Sequence, residues 1–290
     1  MSAFASKGFN ANAYLALRPT YNKALLDWLL EYHVGQRTYA ADIACGPGTF
    51  TTDIAKRFNS VVGVDPSPSM IESATRDAST RGLSNIEYMM GSGEKLPLEA
   101  GSVDMLTVMQ GVHWFRIQEF LAESLRVLRP DGTLAMVGYG YPQISNWPDE
   151  MGGLGFSQKL ATDRFMLEPY WDKGFRLIDD MYAPLLSEMQ TNGCFKDIRH
   201  VGFPTAASAA ANNIAILPET WIDSKAMSFD AFRAYLKTWS AYKAWKDAHP
   251  EDRDIIDAYF DKHQQEFGIS GDNNVTVTWP LFAIVARKSL

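Results

Sequence analysis

Small residues and one acid in the first part of the chain are spaced in a way that suits a nucleoside. The apolar run Tyr39–Ile43 leads into Ala44-Cys45-Gly46-Pro47-Gly48, and glycines at such a turn let a backbone approach a ligand closely. Asp65 follows 17 residues after Gly48, at the end of a second apolar run. A carboxylate about one β-α-β unit beyond a glycine turn is placed to bind a ribose diol. The pattern therefore predicts an adenosine-containing ligand.

A nicotinamide or flavin dinucleotide is the competing ligand, and two features of the loop disfavour it. The dinucleotide fingerprint has a third glycine three residues beyond the second, where this chain has the larger Thr51. Asp42, at the end of the first apolar run, would repel a pyrophosphate. A carboxylate there instead suits the ammonium group or the sulfonium region of a cofactor that contains an amino acid.

The loop resembles the first motif of the class I S-adenosylmethionine-dependent methyltransferases, D-x-G-x-G-x-G. Asp42, Gly46 and Gly48 match the motif, whereas Ala44 stands where the motif has its first glycine. The resemblance implies S-adenosyl-L-methionine as the cofactor, with contacts from Asp42, Ala44, Gly46, Gly48 and Asp65. It also implies an α/β, Rossmann-like class I methyltransferase fold with a seven-stranded, mostly parallel sheet, helices on both faces and a helical insertion near the C-terminus.

The segment Ser92-Gly93-Glu94-Lys95-Leu96-Pro97 resembles the acidic segment with which this family binds adenine. Ser92 stands where the family often has an aspartate, and its hydroxyl can still meet the adenine amino group. Glu94 lies close by in the sequence. An ordinary surface turn is the alternative interpretation of the segment.

The end of the predicted fourth strand is the predicted catalytic edge, because ligands of open α/β sheets lie at the carboxyl ends of strands. Gln110 is predicted to contact the cofactor, and His113, Trp114 and Arg116 are predicted to serve catalysis. His113 suits a general base, since its ordinary pKa lies near neutrality. It equally suits a histidine that positions the ligand or packs beside Trp114 and Phe115. Arg116 is a candidate to hold an acceptor carboxylate, and a solvated surface arginine is the alternative.

Further elements resemble fungal trans-aconitate methyltransferase-like proteins. They are the Y-x-x-x-R-P-x-Y element from Tyr14 to Tyr21, the His113-Trp114-Phe115 triplet, and Lys237–Lys246 with its aromatic residues. The resemblance implies that the N-terminal segment, with Tyr14 and Arg18, closes over the cofactor. It also implies that the C-terminal insertion covers the acceptor pocket. The aromatic residues of the insertion equally suit the buried stripe of a helix.

The resemblance favours O-methylation of a small molecule, with a carboxylate of an aconitate-like polycarboxylic acid as the acceptor. Such an acceptor is already anionic and needs no base. Two alternatives stay open: O-, N- or C-methylation of a secondary metabolite, and a protein that binds S-adenosylmethionine without transferring its methyl group. The identity of the acceptor and the oligomeric state are left open by the sequence.

Composition limits the partners. The chain of 290 residues carries a net charge of −7 and has no block of basic residues, so a nucleic-acid partner is not expected. No apolar run reaches the length of a membrane span, and Cys45 and Cys194 are the only cysteines. We therefore expect a cytoplasmic protein without a membrane partner, a disulfide framework or a metal site.

Alternating strand-like and helix-like segments predict a doubly wound sheet. Strands are predicted at 39–44, 60–64, 86–90, 103–109, 133–137 and 194–201, and helices at 24–32, 51–57, 69–81, 118–128 and 229–248. The segment 274–286 is expected to add a late strand, with Pro280 at a bulge or bend. We predict one methyltransferase domain over 1–290. Its parts are a cofactor-covering segment at 1–35, a cofactor-binding half at 36–140, and a substrate-facing half at 141–290 with an insertion at about 204–272.

Overall fold

The structure is a computed structural model in which the described residues are 18–145, 155–202, 214–216 and 224–289. The chain divides into two compact units, each made of three stretches. The sheet unit comprises Thr20–Gly140, Gly174–Trp221 and Leu281–Leu290. The helical unit comprises Met1–Pro19, Tyr141–Lys173 and Ile222–Pro280.

The strands of the sheet unit alternate with helices along its first stretch of chain. The strands are β1 (Tyr39–Ile43), β2 (Ser60–Asp65), β3 (Ile86–Met90), β4 (Val103–Met109), β5 (Leu128–Tyr139), β7 (Phe195–Gly202), β8 (Ala215–Ile216) and β11 (Leu281–Lys288). The helices are α1 (Lys23–Tyr32), α2 (Thr49–Ala55), α3 (Pro68–Thr80), α4 (Ile117–Val127), α6 (Arg176–Asp179) and α7 (Ala183–Asn192).

These strands form one sheet in the order β3-β2-β1-β4-β5-β11-β7-β8. Among the described strands of this sheet, β11 alone runs antiparallel to its neighbours, which are β5 and β7. The central strands are nearly all apolar because helices and loops cover them, as in other parallel sheets. In the register of the centre, Asp42 of β1 lies opposite Gly63 of β2 and Thr107 of β4.

The helical unit contains its own antiparallel sheet. Its strands are β6 (Gln143–Ile144), β9 (Lys225–Ser228) and β10 (Asn274–Thr278), in the order β6-β10-β9. Its helices are α5 (Gly155–Thr162), α8 (Phe229–Leu236), α9 (Ser240–Ala248) and α10 (Ile255–Phe267). Rings fill its interior: Phe156 packs within about 6 Å, between centroids, of Phe229, Phe232 and Phe260.

The predicted fold class is confirmed, including the seven-stranded, mostly parallel sheet. The eighth strand of the described sheet, β8, has two residues and lies at the edge beside β7. The predicted bounds of β3 and β4 agree with the structure. The other predicted strands of the first half differ at their ends, most of all β5, which begins at Leu128 and ends at Tyr139.

The C-terminal half differs from the sequence prediction at two predicted elements and at one helix that was not predicted. The helix predicted over 229–248 is two helices, because the chain between α8 and α9 adopts an extended conformation at Trp239. Helix α10 was not predicted, although Asp254 caps it by accepting from the backbone N–H groups of Ile256 and Asp257. The late strand expected over 274–286 is two strands in two different sheets, β10 and β11, and Pro280 lies between them.

None of the helices in the described residues has the length and apolar character that a membrane span requires.

Candidate functional site

The loop between β1 and α2 takes a left-handed backbone conformation at three residues. Ala44 has φ 53°, Gly46 has φ 55° and Gly48 has φ 82°. Glycine adopts these angles without steric cost, whereas an alanine is strained by its Cβ. Hydrogen bonds tie the loop to β2, since the N–H of Cys45 donates to the carbonyl oxygen of Val64 over 3.1 Å.

The glycines of the loop differ in what surrounds them. A Cβ at Gly46 would meet no atom within 4 Å, so the loop is open at this point. A Cβ at Gly48 would lie 2.9 Å from Cζ of Tyr88 and closer still to its hydroxyl oxygen. Tyr88 of β3 therefore supports the loop at Gly48, and Gly46 leaves room for a ligand.

Asp65 holds the loop from the end of β2. The residue is 8% exposed, and its carboxylate accepts from the N–H of Gly46 over 2.9 Å and from the N–H of Ser67 over 2.8 Å. Burial raises the pKa of Asp65, and these two hydrogen bonds oppose the rise. Each carboxylate oxygen keeps a second lone pair, which can accept from a ligand hydroxyl.

Asp42 lies beneath the loop in a network of hydroxyl groups. Its carboxylate accepts from Oγ1 of Thr51 over 2.6 Å and from Oγ1 of Thr107 over 2.8 Å. The residue is 1% exposed, and burial raises its pKa to about 6. Thr51 stands where a dinucleotide-binding loop has its third glycine, and here its hydroxyl orients the carboxylate of Asp42.

The segment after β3 forms a turn in which Ser92 bridges to Lys95. Ser92 is exposed and Glu94 is half-buried. A carboxylate oxygen of Glu94 accepts from the N–H of Arg116 over 3.0 Å. The turn is therefore joined to the chain that follows β4, with Gly93 packed against the ring of Phe115.

Gln110 links the ends of β4 and β5. Its Nε2 donates to the carbonyl oxygen of Tyr139 over 3.1 Å, and its Oε1 accepts from the N–H of Tyr139 over 2.7 Å. Gln110 itself has φ 56°. Its side-chain amide thus shapes this edge of the sheet, and a cofactor contact from Gln110 stays a prediction.

The three predicted catalytic residues follow β4 closely but differ in surroundings. His113 and Trp114 lie in a short 3₁₀ helix, Val112–Trp114, where His113 is 6% exposed. The centroid of the His113 ring lies 5.0 Å from that of Trp114 and 5.9 Å from that of Phe175. Arg116 is exposed, and its guanidinium donates to both carboxylate oxygens of Glu119, with 2.6 Å between Nη2 and Oε2.

The two predicted N-terminal contacts, Tyr14 and Arg18, stay predictions. Tyr14 lies outside the described residues. Arg18 lies in the helical unit, where its Nη2 donates to the carbonyl oxygen of Thr238 over 3.0 Å and its guanidinium lies 5.6 Å from the ring centroid of Tyr235. The carboxyl ends of β1, β2, β3 and β4 thus carry the other predicted residues.

Three residues that shape this edge were not predicted from the sequence. Thr107 is a hydroxyl-bearing residue within the apolar strand β4, which is a signal that could have revealed its bond to Asp42. Gly111 has φ −120° and touches Ala44, and Tyr88 packs against Gly48 and Gly63. The contacts of Gly111 and Tyr88 join distant parts of the chain, so spacing along the sequence carries no signal for them.

The site fits a nucleoside cofactor with a charged amino-acid portion. The loop is open at Gly46, Asp65 retains acceptor capacity for ribose hydroxyls, and Asp42 places a carboxylate near the start of the loop. S-Adenosylmethionine combines a ribose with an ammonium group and a sulfonium, which are the groups these residues suit.

Comparisons with known proteins agree with this fit. Residues 41–136 match the family model of a methyltransferase domain. A Dictyostelium discoideum protein named as a methyltransferase is 29% identical over 97% of this chain and 94% of its own length. A Saccharomyces cerevisiae protein named as an S-adenosylmethionine-dependent methyltransferase is 27% identical over 99% of this chain and 98% of its own length.

A solved structure from Anaeromyxobacter dehalogenans, described as a type II methyltransferase, shares the fold with a TM-score of 0.63. It is 24% identical in sequence, and the match covers 93% of this chain and 97% of that one. The matched domain and these relatives agree with the glycine loop and the buried acids of β1 and β2. The chain is therefore an S-adenosylmethionine-dependent methyltransferase with the class I fold.

Proposed function

We propose that this enzyme transfers the methyl group to an oxygen of a small molecule, and that the favoured acceptor is a carboxylate of an aconitate-like polycarboxylic acid. The observation that carries the proposal is the setting of His113, which is buried against the rings of Trp114 and Phe175 at the edge after β4. We propose that this edge excludes water and positions the acceptor. A carboxylate suits it because it is already deprotonated and needs no base.

When bound, S-adenosylmethionine supplies a methyl group on a positively charged sulfur, so the acceptor oxygen forms its bond to carbon as the sulfur–methyl bond breaks and the sulfur keeps the electron pair. The residues of the chain then act by orientation. We propose that Asp65 accepts from the ribose, that Ser92 and Glu94 face the adenine, and that the loop at Ala44, Gly46 and Gly48 admits the cofactor.

Arg116 is the proposed group that binds a second carboxylate of the acceptor. Its guanidinium now donates to both oxygens of Glu119 at the surface. An acceptor carboxylate offers the same two-oxygen geometry, and an exposed ion pair is worth little, so Glu119 can be displaced. We expect Arg116→Gln to raise KM for a polycarboxylic acid more than it lowers kcat.

The remaining parts of the proposal concern the rest of the chain. We propose that the segment at 1–35, with Tyr14 and Arg18, covers the cofactor and that the half at 141–290 covers the acceptor. We also place the enzyme in the cytoplasm, because Cys45 and Cys194 are both free thiols and suit a reducing compartment.

The test is methyl transfer from isotopically labelled S-adenosylmethionine to a panel of small carboxylic acids, including trans-aconitate, and to phenols. Product mass and S-adenosylhomocysteine are both measured. We expect a labelled methyl ester of a polycarboxylic acid. Labelled ether from phenols alone would favour methylation of a secondary metabolite, and cofactor binding without any product would favour a role without methyl transfer.

The variant His113→Phe separates methylation of a carboxylate from methylation of a hydroxyl group. The variant keeps an aromatic ring in the buried position but removes both nitrogens. With a carboxylate acceptor we expect at most a modest loss of kcat, since no proton has to be removed. A loss confined to hydroxyl acceptors would assign His113 as a base, whereas comparable losses with carboxylates would assign it a positioning role.

A further inference from the structure

The glycine loop departs from the family motif at Ala44, and Gly111 stands directly opposite it. A Cβ added to Gly111 would lie 2.7 Å from Cβ of Ala44 and 3.1 Å from Cγ1 of Val108. Neither distance is compatible with ordinary packing at these atoms, and the first is well inside van der Waals contact. The extra methyl group of Ala44 thus occupies the space that a side chain at residue 111 would need.

Conformation does not by itself require glycine at residue 111. Its φ is −120° and its ψ is −18°, which residues with a side chain also adopt. The requirement at residue 111 is therefore one of space. At Ala44 the situation is the reverse, because its φ of 53° is strained for any residue with a Cβ.

Neither partner can relieve a clash by rotating a side chain. The Cβ of Ala44 is fixed by its backbone, and that backbone is held on the other side. The N–H of Cys45 donates to Val64, and the N–H of Gly46 donates to Asp65 over 2.9 Å. A methyl group at residue 111 would therefore push the loop toward β2 or move the chain that leads into the 3₁₀ helix with His113.

We propose that Gly111 is a positioning residue for the cofactor loop, which sets the distance between the loop and the end of β4 by receiving the methyl group of Ala44. The inference rests on the proposed assignment of this loop to the cofactor. It also explains how the loop accommodates an alanine where the motif has a glycine. The methyl group of Ala44 lies in space that is free because Gly111 has no side chain.

The test is a double-mutant cycle on Ala44→Gly and Gly111→Ala, with the dissociation constant for S-adenosylhomocysteine as the readout. Calorimetry measures it without an acceptor, so the result does not depend on the acceptor's identity. We expect Gly111→Ala to weaken binding by roughly tenfold or more, as overpacking does elsewhere. We expect the double variant, Ala44→Gly with Gly111→Ala, to recover most of the lost affinity. It has one methyl group between the loop and the end of β4, as the wild type does, but carries it on residue 111.

Gly155→Ala is the matched control. A Cβ at Gly155 would meet no atom within 4 Å, and the residue lies at the start of α5 in the helical unit. We expect this variant to bind S-adenosylhomocysteine as the wild type does, which shows that replacing a glycine by alanine is harmless where space is available.

Folding of each variant is checked by circular dichroism and thermal unfolding. If Gly111→Ala does not fold while the double variant folds and binds, the proposal is supported. The proposal is overturned if Gly111→Ala binds as the wild type does, or if the double variant is as impaired as Gly111→Ala. Wild-type protein that fails to bind would overturn the cofactor assignment of the loop as well. Binding without any methylated product would count against the proposed methyl transfer and its acceptor, and would leave the inference about Gly111 intact.

Discussion

At the scale of single residues, two buried carboxylates organise the loop between β1 and α2 in different ways. Asp65 accepts from backbone N–H groups and so holds the loop itself, whereas Asp42 accepts from the hydroxyls of Thr51 and Thr107. Burial raises the pKa of both. A substitution at either position therefore changes both charge and hydrogen bonding, and the two effects are separable by experiment.

Asp65→Asn is expected to weaken the binding of S-adenosylhomocysteine by about 1–3 kcal/mol. The amide nitrogen of asparagine cannot accept from Gly46 or Ser67, and the neutral side chain is a weaker acceptor for ribose hydroxyls. Calorimetry measures the affinity, with circular dichroism to verify folding. Asp53→Asn, on the exposed face of α2, is the control and should bind normally. Wild-type affinity of Asp65→Asn would contradict the assignment.

The raised pKa of Asp42 predicts that the stability of the protein depends on pH. Its pKa rises from 3.8 to about 6 on folding, so the folded state holds a proton that the unfolded state releases. The contribution of Asp42 to stability is therefore largest below about pH 4 and is lost as the pH rises through about 6. Between pH 5 and pH 7.5 the loss is on the order of 1 kcal/mol.

Urea unfolding of the wild type and of Asp42→Asn at both pH values measures this dependence. Asp65 titrates in the same direction and is present in both proteins, so the comparison isolates Asp42. We expect the free energy of unfolding of the wild type to fall relative to the variant as the pH rises. Parallel pH profiles would show that Asp42 keeps its ordinary pKa in the folded protein.

At the scale of elements, the loop between β1 and α2 depends on its neighbours in the sheet. β2 supplies hydrogen bonds from Val64 and Asp65, β3 supplies the ring of Tyr88, and the end of β4 supplies Gly111. The strands meet at one edge because they are parallel neighbours in the order β3-β2-β1-β4. The loop is thus shaped by long-range packing as much as by its own glycines.

Gly48→Ala and Gly46→Ala separate backbone strain from packing in this loop. Both residues have a positive φ, so each substitution is expected to cost about 1–2 kcal/mol of stability through strain. Gly48→Ala also collides with the half-buried ring of Tyr88, which adds about 1–3 kcal/mol. Chemical denaturation measures the difference between the two variants. Equal destabilisation would show that Tyr88 does not constrain the loop.

At the scale of the whole molecule, the chain forms two compact units with different contents. The sheet unit contains the loop, both buried acids and His113, while the helical unit contains Arg18 and the aromatic residues around Trp239. Tyr235, Trp239 and Trp245 are each at most 6% exposed, so this part of the predicted aromatic stripe is core.

Hydrogen exchange with and without S-adenosylhomocysteine tests how the cofactor engages the chain. Amides of residues 44–48 and 110–114 are expected to gain protection, because a ligand stabilises the conformation that binds it. Peptides that contain Tyr14 and Arg18 are expected to gain protection as well if the N-terminal segment covers the cofactor. The amides of α10, for which no cofactor contact is predicted, serve as the internal reference. Unchanged exchange at 10–20 would count against the covering role.

Much of the first half could be predicted because its signals are local. Continuous apolar runs predict buried parallel strands, and the glycine spacing with Asp65 predicts a nucleoside ligand, so the fold class and the cofactor followed from neighbouring residues. The bounds of β3 and β4 agreed for the same reason. Helix α10 was not predicted, although Asp254 at its N-terminus is a local capping signal.

The sequence by itself determined the fold class and the cofactor, because periodicity and turn residues act within a few positions of one another. Only the tertiary structure decided that Pro280 separates strands of two sheets and that Arg116 is already paired with Glu119. Only the structure showed that Ala44 is accommodated by Gly111, which lies 67 residues further along the chain. Such contacts depend on how strands from distant parts of the chain align, and no spacing in the sequence encodes that alignment.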